Sequence, residues 1–342
     1  MKKRAPTIQD VAREAGVSPS TVSNVLNRRW KQTSRETRER ILQIARDLNY
    51  QPNTLAASLR RRSTRTVGVV LTSVLNPFNT AVLRGIQDAA RAAGYTIIVG
   101  NTDYDADSER EILAALRARQ VDGMLVVTNG GNNELLTEIH ESGLPVVLID
   151  RGDPSLALDT VRVDNEGAAE QAVGHLLDLG HRRVAFVGGL TSGVPSRAGR
   201  LVGYRRALSS RSLPLREEYE VIVPTAIDNG RLAVTGLLNR PAPPTALFVA
   251  NTFLAIGVLQ GLRERGLRMP GDMSFVMFDD PDWATATTPA LTTVSQPTAE
   301  IGNRSFDLLE HRMKHKRGRD AQTVILPTSL RIRESSGYLR VS

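Results

Sequence analysis

A chain of 342 residues exceeds what one hydrophobic core usually organises, so more than one domain is expected; 41% apolar and 23% charged residues is an ordinary globular balance. The absence of cysteine excludes disulfides, thiolate metal sites and a cysteine nucleophile, and no stretch approaches the ~20 apolar residues of a membrane span. The net charge of +8 is unevenly divided: residues 1–65 hold 15 Lys/Arg against 5 Asp/Glu, and the remainder hold 29 against 31. So basic a head beside a near-neutral body points to a polyanionic partner, either nucleic acid or an acidic membrane surface.

The N-terminus Met1-Lys2-Lys3-Arg4 is basic like a leader, but Asp10, Arg13 and Glu14 interrupt the apolar run a signal peptide needs, so a cytoplasmic location is expected. From Thr7 onward, Ile8, Val11, Ala12 and Ala15 fall on one helical stripe. Thr7 and Asp10 have capping-box spacing, and Gly16 supplies a left-handed stop. A second helix follows at once, with Ser18 as cap, Pro19 at its first position and Val22, Val25 and Leu26 inward. A third is expected from Thr33, boxed with Glu36, burying Ile41, Ile44, Ala45 and Leu48. Two short helices joined by a glycine turn form a helix-turn-helix, whose second helix enters the major groove. Because the apolar faces are consumed by mutual packing, the membrane reading weakens.

The segment "TIQDVAREAGVSPSTVSNVLN", residues 7–27, resembles the head of the lac repressor family of bacterial regulators, and "YQPNTLAASLRRR", residues 50–62, resembles that family's hinge. The resemblance implies that Pro19, Ser20 and Asn24 meet base edges, with Thr21 and Ser23 at phosphates and Thr7 and Ser18 also at the DNA. It further implies hinge contacts from Asn53 and Ala56, and a wedge, Leu59, in the minor groove. Small alanines let two hinge helices approach, and an apolar wedge can kink a base step. Many relatives carry Arg where Asn24 stands, and Asn pairs bidentately with adenine whereas Arg prefers guanine.

After Arg65 the pattern becomes apolar strands alternating with helices: strands at residues 67–71, 96–99, 123–127, 145–149, 183–188, 245–250 and 273–278, with a helix near 80–93. Such alternation predicts an α/β body of doubly wound parallel sheets, and its length favours two sheets over one. The motifs "VVLIDR", "GHRRVAFVGG", "RLVGYRRAL" and "PALTTVSQP" extend the resemblance, which implies two periplasmic-binding-protein-like lobes around a ligand cleft. The expected divisions are a DNA-binding domain over 1–50, a hinge over 51–65 and a ligand-sensing body over 66–342.

Open α/β sheets bind ligands at strand C-termini. The candidate contacts are Phe78, Asn79, Thr128, Asp150, Arg151, Asn251 and Asp279 at strand ends, with Arg200 on a helix and Trp283 as an apolar face; the resemblance implies that Asp150, Arg200, Asn251 and Asp279 hydrogen-bond the ligand. Carboxylates, an amide and guanidinium groups suit a sugar or sugar derivative, or else a nucleobase or nucleoside. Each also has a structural alternative, as a cap, a surface ion pair or core. The glycines form neither GxGxxG nor GxxxxGKS, and His140, His175, His181, His311 and His315 are scattered, so neither an enzyme nor a cofactor is expected. After "LPTSLRIRESSG" five residues remain, too few for a tetramer-forming heptad helix, which leaves a homodimer on palindromic double-stranded operator DNA as the expectation.

Overall fold

The computed structural model describes residues 6–27, 30, 33–50, 63–152, 156–315 and 320–339. The chain divides into two compact units, Met1–Thr64 and Arg65–Ser342.

In the first unit, α1 (Ile8–Ala15), α2 (Pro19–Leu26) and α3 (Arg35–Asp47) close around Val11, Val22, Val25 and Ile41, each no more than 1% exposed. Asp10 Oδ2 accepts from the Thr7 N–H at 2.9 Å and the Thr7 hydroxyl at 2.7 Å, and Gly16 sits at φ 62°, where a Cβ would be strained. The third helix starts later than its sequence suggests. Ser34, not Thr33, is the cap, its Oγ accepting from the Thr37 N–H at 3.2 Å. Glu36 thus falls at the second helical position, where it cannot reach back to close a capping box. The expected hinge residues Asn53, Ala56 and Leu59 lie outside the described residues.

The second unit holds two six-stranded sheets. The first runs β11–β5–β4–β3–β1–β2, built from β1 (Thr66–Leu71), β2 (Thr96–Asn101), β3 (Gly123–Val126), β4 (Val146–Ile149), β5 (Asp159–Val163) and β11 (Thr323–Leu326), all parallel. The second runs β12–β10–β9–β8–β6–β7, from β6 (Val184–Gly189), β7 (Glu220–Val223), β8 (Ala246–Val249), β9 (Ser274–Phe278), β10 (Thr292–Ser295) and β12 (Ser329–Arg331), with β12 alone antiparallel. The central strands are fully buried, as sheets covered on both faces require. Helix α4 spans Pro77–Ala92 rather than starting near residue 80, because Asn76 Oδ1 caps the Phe78 N–H at 3.0 Å and Pro77 fits the first position.

The chain crosses between lobes. Helix α7 (Asn165–Asp178) leaves β5 and packs in the second lobe on α8 (Pro195–Ser209), while α11 (Thr298–Lys314) returns to cover the first lobe against α4. Asp159, 2% exposed, fastens this return: it accepts from Arg312 at 2.7 and 2.8 Å and from the Gln322 N–H at 2.8 Å. One buried carboxylate thereby joins β5, α11 and β11. It also breaks the apolar run that would have marked β5 in the sequence.

Candidate functional site

Helix α2 has two faces. Val22 and Val25 point into the head's core, whereas Ser20, Ser23, Asn24 and Asn27 lie along the opposite side at helical spacing. Ser18 caps the helix through a 3.2 Å bond from the Thr21 N–H, and its Oγ lies 2.7 Å from that of Ser20 and 2.9 Å from Thr21 Oγ1. Pro19 is exposed, and no acidic residue occupies the first turn, so the partial positive charge of the helix N-terminus is left for an anion. The Asn24 side chain forms no hydrogen bond among the described residues, leaving both its donor and its acceptor for another molecule.

In the body, the loops after β3, β4, β6, β8 and β9 meet between the lobes. Asp150 and Asp279 occupy equivalent places at the ends of β4 and β9, and both are left-handed, at φ 62° and 77°. Asp tolerates this region better than most residues, and here it turns the chain sharply off each strand. Asp150 Oδ2 reaches across to the Ser196 hydroxyl at 3.2 Å, and Oδ1 is buried with no partner. Asp279 is held by Gln296 Nε2 at 2.6 Å and Thr252 Oγ1 at 3.0 Å. Burial pushes its carboxyl above the usual range, against the opposing pull of nearby Arg200 and these two bonds.

Arg200 on α8 donates Nε to Asn165 Oδ1 at 2.8 Å and Nη1 to the Ala250 carbonyl at 2.9 Å, with its guanidinium 3.6 Å over the Phe278 ring. Burial lowers its pKa, while Asp279 and Asp150 oppose that shift. Arg151 lies beside Asp150 at 3.7 Å and faces Tyr104. A cavity of about 450 Å³ opens among Phe78, Thr80, Asp279, Asp280, Ser295 and Gln296. Phe78, Asp150, Arg151, Arg200 and Asp279 are thus gathered at the inter-lobe surfaces.

Four other expected contacts also have partners within the protein. Asn251 caps α10 (Thr252–Glu264), accepting from the Phe253 and Leu254 N–H groups at 2.9 and 3.3 Å. Asn79 is tied to Thr72 and Ser73 at 3.0 and 2.9 Å, and the Thr128 hydroxyl donates to buried Glu109 at 2.9 Å. Trp283, half-buried in the turn Asp282–Thr285, packs against the second lobe's core.

Comparison with known proteins agrees with this architecture. Residues 7–53 match the family model for bacterial regulatory proteins of the lacI family, and residues 173–336 match a periplasmic binding protein-like domain. Catabolite control protein A of Priestia megaterium is 37% identical over 96% of this chain and 99% of its own length. The chain belongs to the lacI family of bacterial regulatory proteins. The ribose operon repressor of Haemophilus influenzae is 33% identical, covering 96% of this chain and 98% of its own. The lac repressor dimer bound to operator and the anti-inducer ONPF superposes with a TM-score of 0.85 at 26% identity, spanning 98% of this chain and 100% of that one. A complex of the transcriptional regulator CelR with cellobiose gives 0.73 at 30%, over 96% and 99%.

This lacI-family chain is therefore a DNA-binding transcriptional regulator and not an enzyme. No helix among its described residues is long and apolar enough to cross a membrane. Sequence reasoning missed Ser196, Arg197 and Gln296. For Arg197 a signal existed: it stands three residues before Arg200 on one helix, so the two share a face. Gln296 offered no such signal, since only the sheet order brings it beside Asp279.

Proposed function

We propose that this regulator is a cytoplasmic homodimeric repressor whose affinity for a palindromic operator is set by a small molecule, a sugar or sugar derivative, held between the lobes. The DNA-binding domain is residues 1–50, the hinge 51–65 and the sensor 66–342. Pro19, Ser20 and Asn24 face bases; Thr21 and Ser23 face phosphates, with Thr7 and Ser18 also at the DNA; Asn53, Ala56 and Leu59 act at the operator centre. The observation that carries the sensing role is a group of buried polar atoms without protein partners, Asp150 Oδ1, Arg151 Nε and Gln296 Oε1, among Asp279 and Arg200. Buried polar groups are normally satisfied, so unsatisfied ones converging where two lobes meet suit a hydrogen-bonding ligand. Related regulators whose structures contain ribose or cellobiose favour a sugar over a nucleobase.

A ligand gripped by both lobes favours one closure angle, and in a dimer that angle sets the separation of the two hinges. Its effect on DNA equals its differential affinity for the two arrangements, typically ~1–3 kcal/mol. The test is selection of random DNA by the full-length chain, followed by a thermal-shift screen with sugars, sugar acids and nucleobases. Two half-sites related by a dyad, with binding that weakens about 10³–10⁵-fold from 50 to 200 mM salt, are expected if ~6–10 phosphates are contacted. A single unrepeated site, or salt-independent binding, contradicts the reading of the head; sugar binding unaffected by Asp279→Asn contradicts the reading of the cleft.

A further inference from the structure

The inter-lobe site is short of negative charge. Arg151, Arg197 and Arg200 influence one another electrostatically there, and the carboxylates that act on them are Asp150 and Asp279. Asp280, the next acidic residue, is occupied by Arg333 at 2.8 and 3.0 Å and by the Thr293 hydroxyl at 2.8 Å. Arg200 is satisfied by neutral acceptors and an aromatic face. The other two cations hold fewer hydrogen bonds.

Arg151 is 7% exposed, and its side chain donates no hydrogen bond among the described residues: Nε is unpartnered, and 3.7 Å to Asp150 Oδ2 is too long for one. Arg197 donates only Nη1, to the Leu190 carbonyl at 3.1 Å. Both guanidinium groups approach the Tyr104 ring, at 5.6 and 5.8 Å from its centre. Burial, reinforced by the proximity of Arg151, brings Arg197 down to about 10. Arg151 thus faces one carboxylate beyond hydrogen-bond distance, and half-buried Arg197 uses one donor, so both guanidinium forks keep donors for an incoming anion.

We propose that the effector carries an anionic group, a phosphate or a carboxylate, which is received by Arg151 and Arg197 beside Tyr104, while its hydroxyls meet Asp279 and Gln296. This rests on the cleft being the effector site, and it narrows the effector to sugar phosphates and sugar acids. Guanidinium groups suit the purpose, since their planar forks bond carboxylate and phosphate oxygens in pairs. Arg151 comes from the first lobe and Arg197 from the second, so the anion would bridge the lobes and stabilise the closed arrangement.

The test uses the full-length chain, thermal shift and titration calorimetry with matched compounds: glucose, glucose 6-phosphate and gluconate; ribose and ribose 5-phosphate; galactose and galacturonate; inorganic phosphate and sulfate. An anionic member is expected to bind at least tenfold tighter than its neutral counterpart, and the preference should vanish in Arg151→Gln/Arg197→Gln. Whether phosphates or acids give the response identifies the group. A second measurement needs no ligand: Arg151→Gln should lower the apo Tm far less than Arg200→Ala does, because Arg151 gives up one 3.7 Å ion pair with Asp150 and no hydrogen bond among the described residues. An apo Tm lowered as far as by Arg200→Ala makes Arg151 a structural residue and overturns the proposal. So does a neutral sugar that binds as tightly as its anionic partners, or a panel in which no anion binds. If the neutral sugar's binding is lost in Asp279→Asn, the cleft reading survives without the anion site; if it is not, both fall.

Discussion

A residue that served only to contact ligand could be removed without consequence for the empty protein, and Arg200 is predicted to fail that criterion. Arg200→Ala deletes two bonds from a charged donor, to Asn165 Oδ1 at 2.8 Å and the Ala250 carbonyl at 2.9 Å, each worth about 1.5–3 kcal/mol. It also removes the guanidinium from the Phe278 face and leaves the buried Asp279 without its nearest cation. Against this, the cation's own desolvation cost, the main cause of its lowered pKa, is recovered. Loss of one member of a buried charged cluster typically costs about 3–5 kcal/mol, so a net loss of about 3 kcal/mol is expected. At about 2–4 °C per kcal/mol for a body of this size, the Tm should fall by roughly 6–12 °C. Circular dichroism melts and urea titrations of the ligand-free full-length chain measure this directly. Arg200→Lys should recover less than half of the loss, since one ammonium cannot reproduce two forked bonds. A variant within 1 kcal/mol of the wild type, or full rescue by lysine, would refute the reasoning.

Other perturbations separate the remaining parts. Asn24→Ala should relax preference at one base pair in each half-site, costing roughly 1–3 kcal/mol of discrimination, and an unchanged selected motif would remove Asn24 from base readout. At Gly130, φ is 86° and an added Cβ would stand 2.0 Å from the Gly193 carbonyl oxygen of the opposite lobe, so Gly130→Ala should hold the lobes apart. Small-angle scattering should then report a larger body; an unaltered profile and ligand affinity would contradict the contact's importance. Burial holds the imidazoles of His140, His175 and His181 below their ordinary pKa, so the unfolded chain binds protons that the native state resists. Stability should be fullest above ~6.5 and decline as pH falls below it, more steeply in the wild type than in His181→Asn. A Tm that rises on acidification would contradict this.

What was legible in the sequence followed from short-range rules. The Thr7–Asp10 and Gly16 signals and the Ser18–Pro19 start mark the head helices where they occur, because capping is settled within three or four residues. The third helix slipped by one, since Thr33 and Ser34 are both able caps and only the backbone decides between them. The strands β1, β3, β4, β6, β8 and β9 were legible as apolar runs, as was the edge strand β2, but the inner strands β5 and β10 were not, since Asp159 and Arg162 in one and Thr292, Thr293 and Ser295 in the other interrupt the apolar run. The half-exposed edge strands β7, β11 and β12 were not, because their burial depends on partners from distant parts of the chain. The site shows the same division. Strand ends directed attention to Asp150 and Asp279, and the family resemblance to Arg200, but neither pointed to the fates of Asn251 and Thr128. Asn251 is a cap that any Asn before a helix could be, and Thr128 is claimed by Glu109, nineteen positions away.

The central claim is that the cleft and the operator communicate, and reciprocal titration tests it most directly. The effector found in the screen would be titrated calorimetrically into the full-length chain, alone and saturated with its selected operator. Linkage requires the operator to change effector affinity by the same factor by which effector changes operator affinity, in the range of about 5–150-fold. An inducer should bind more weakly to the operator complex and a co-repressor more tightly. Identical affinities in the two titrations would show that the sites are independent and would contradict the account, even with both sites real.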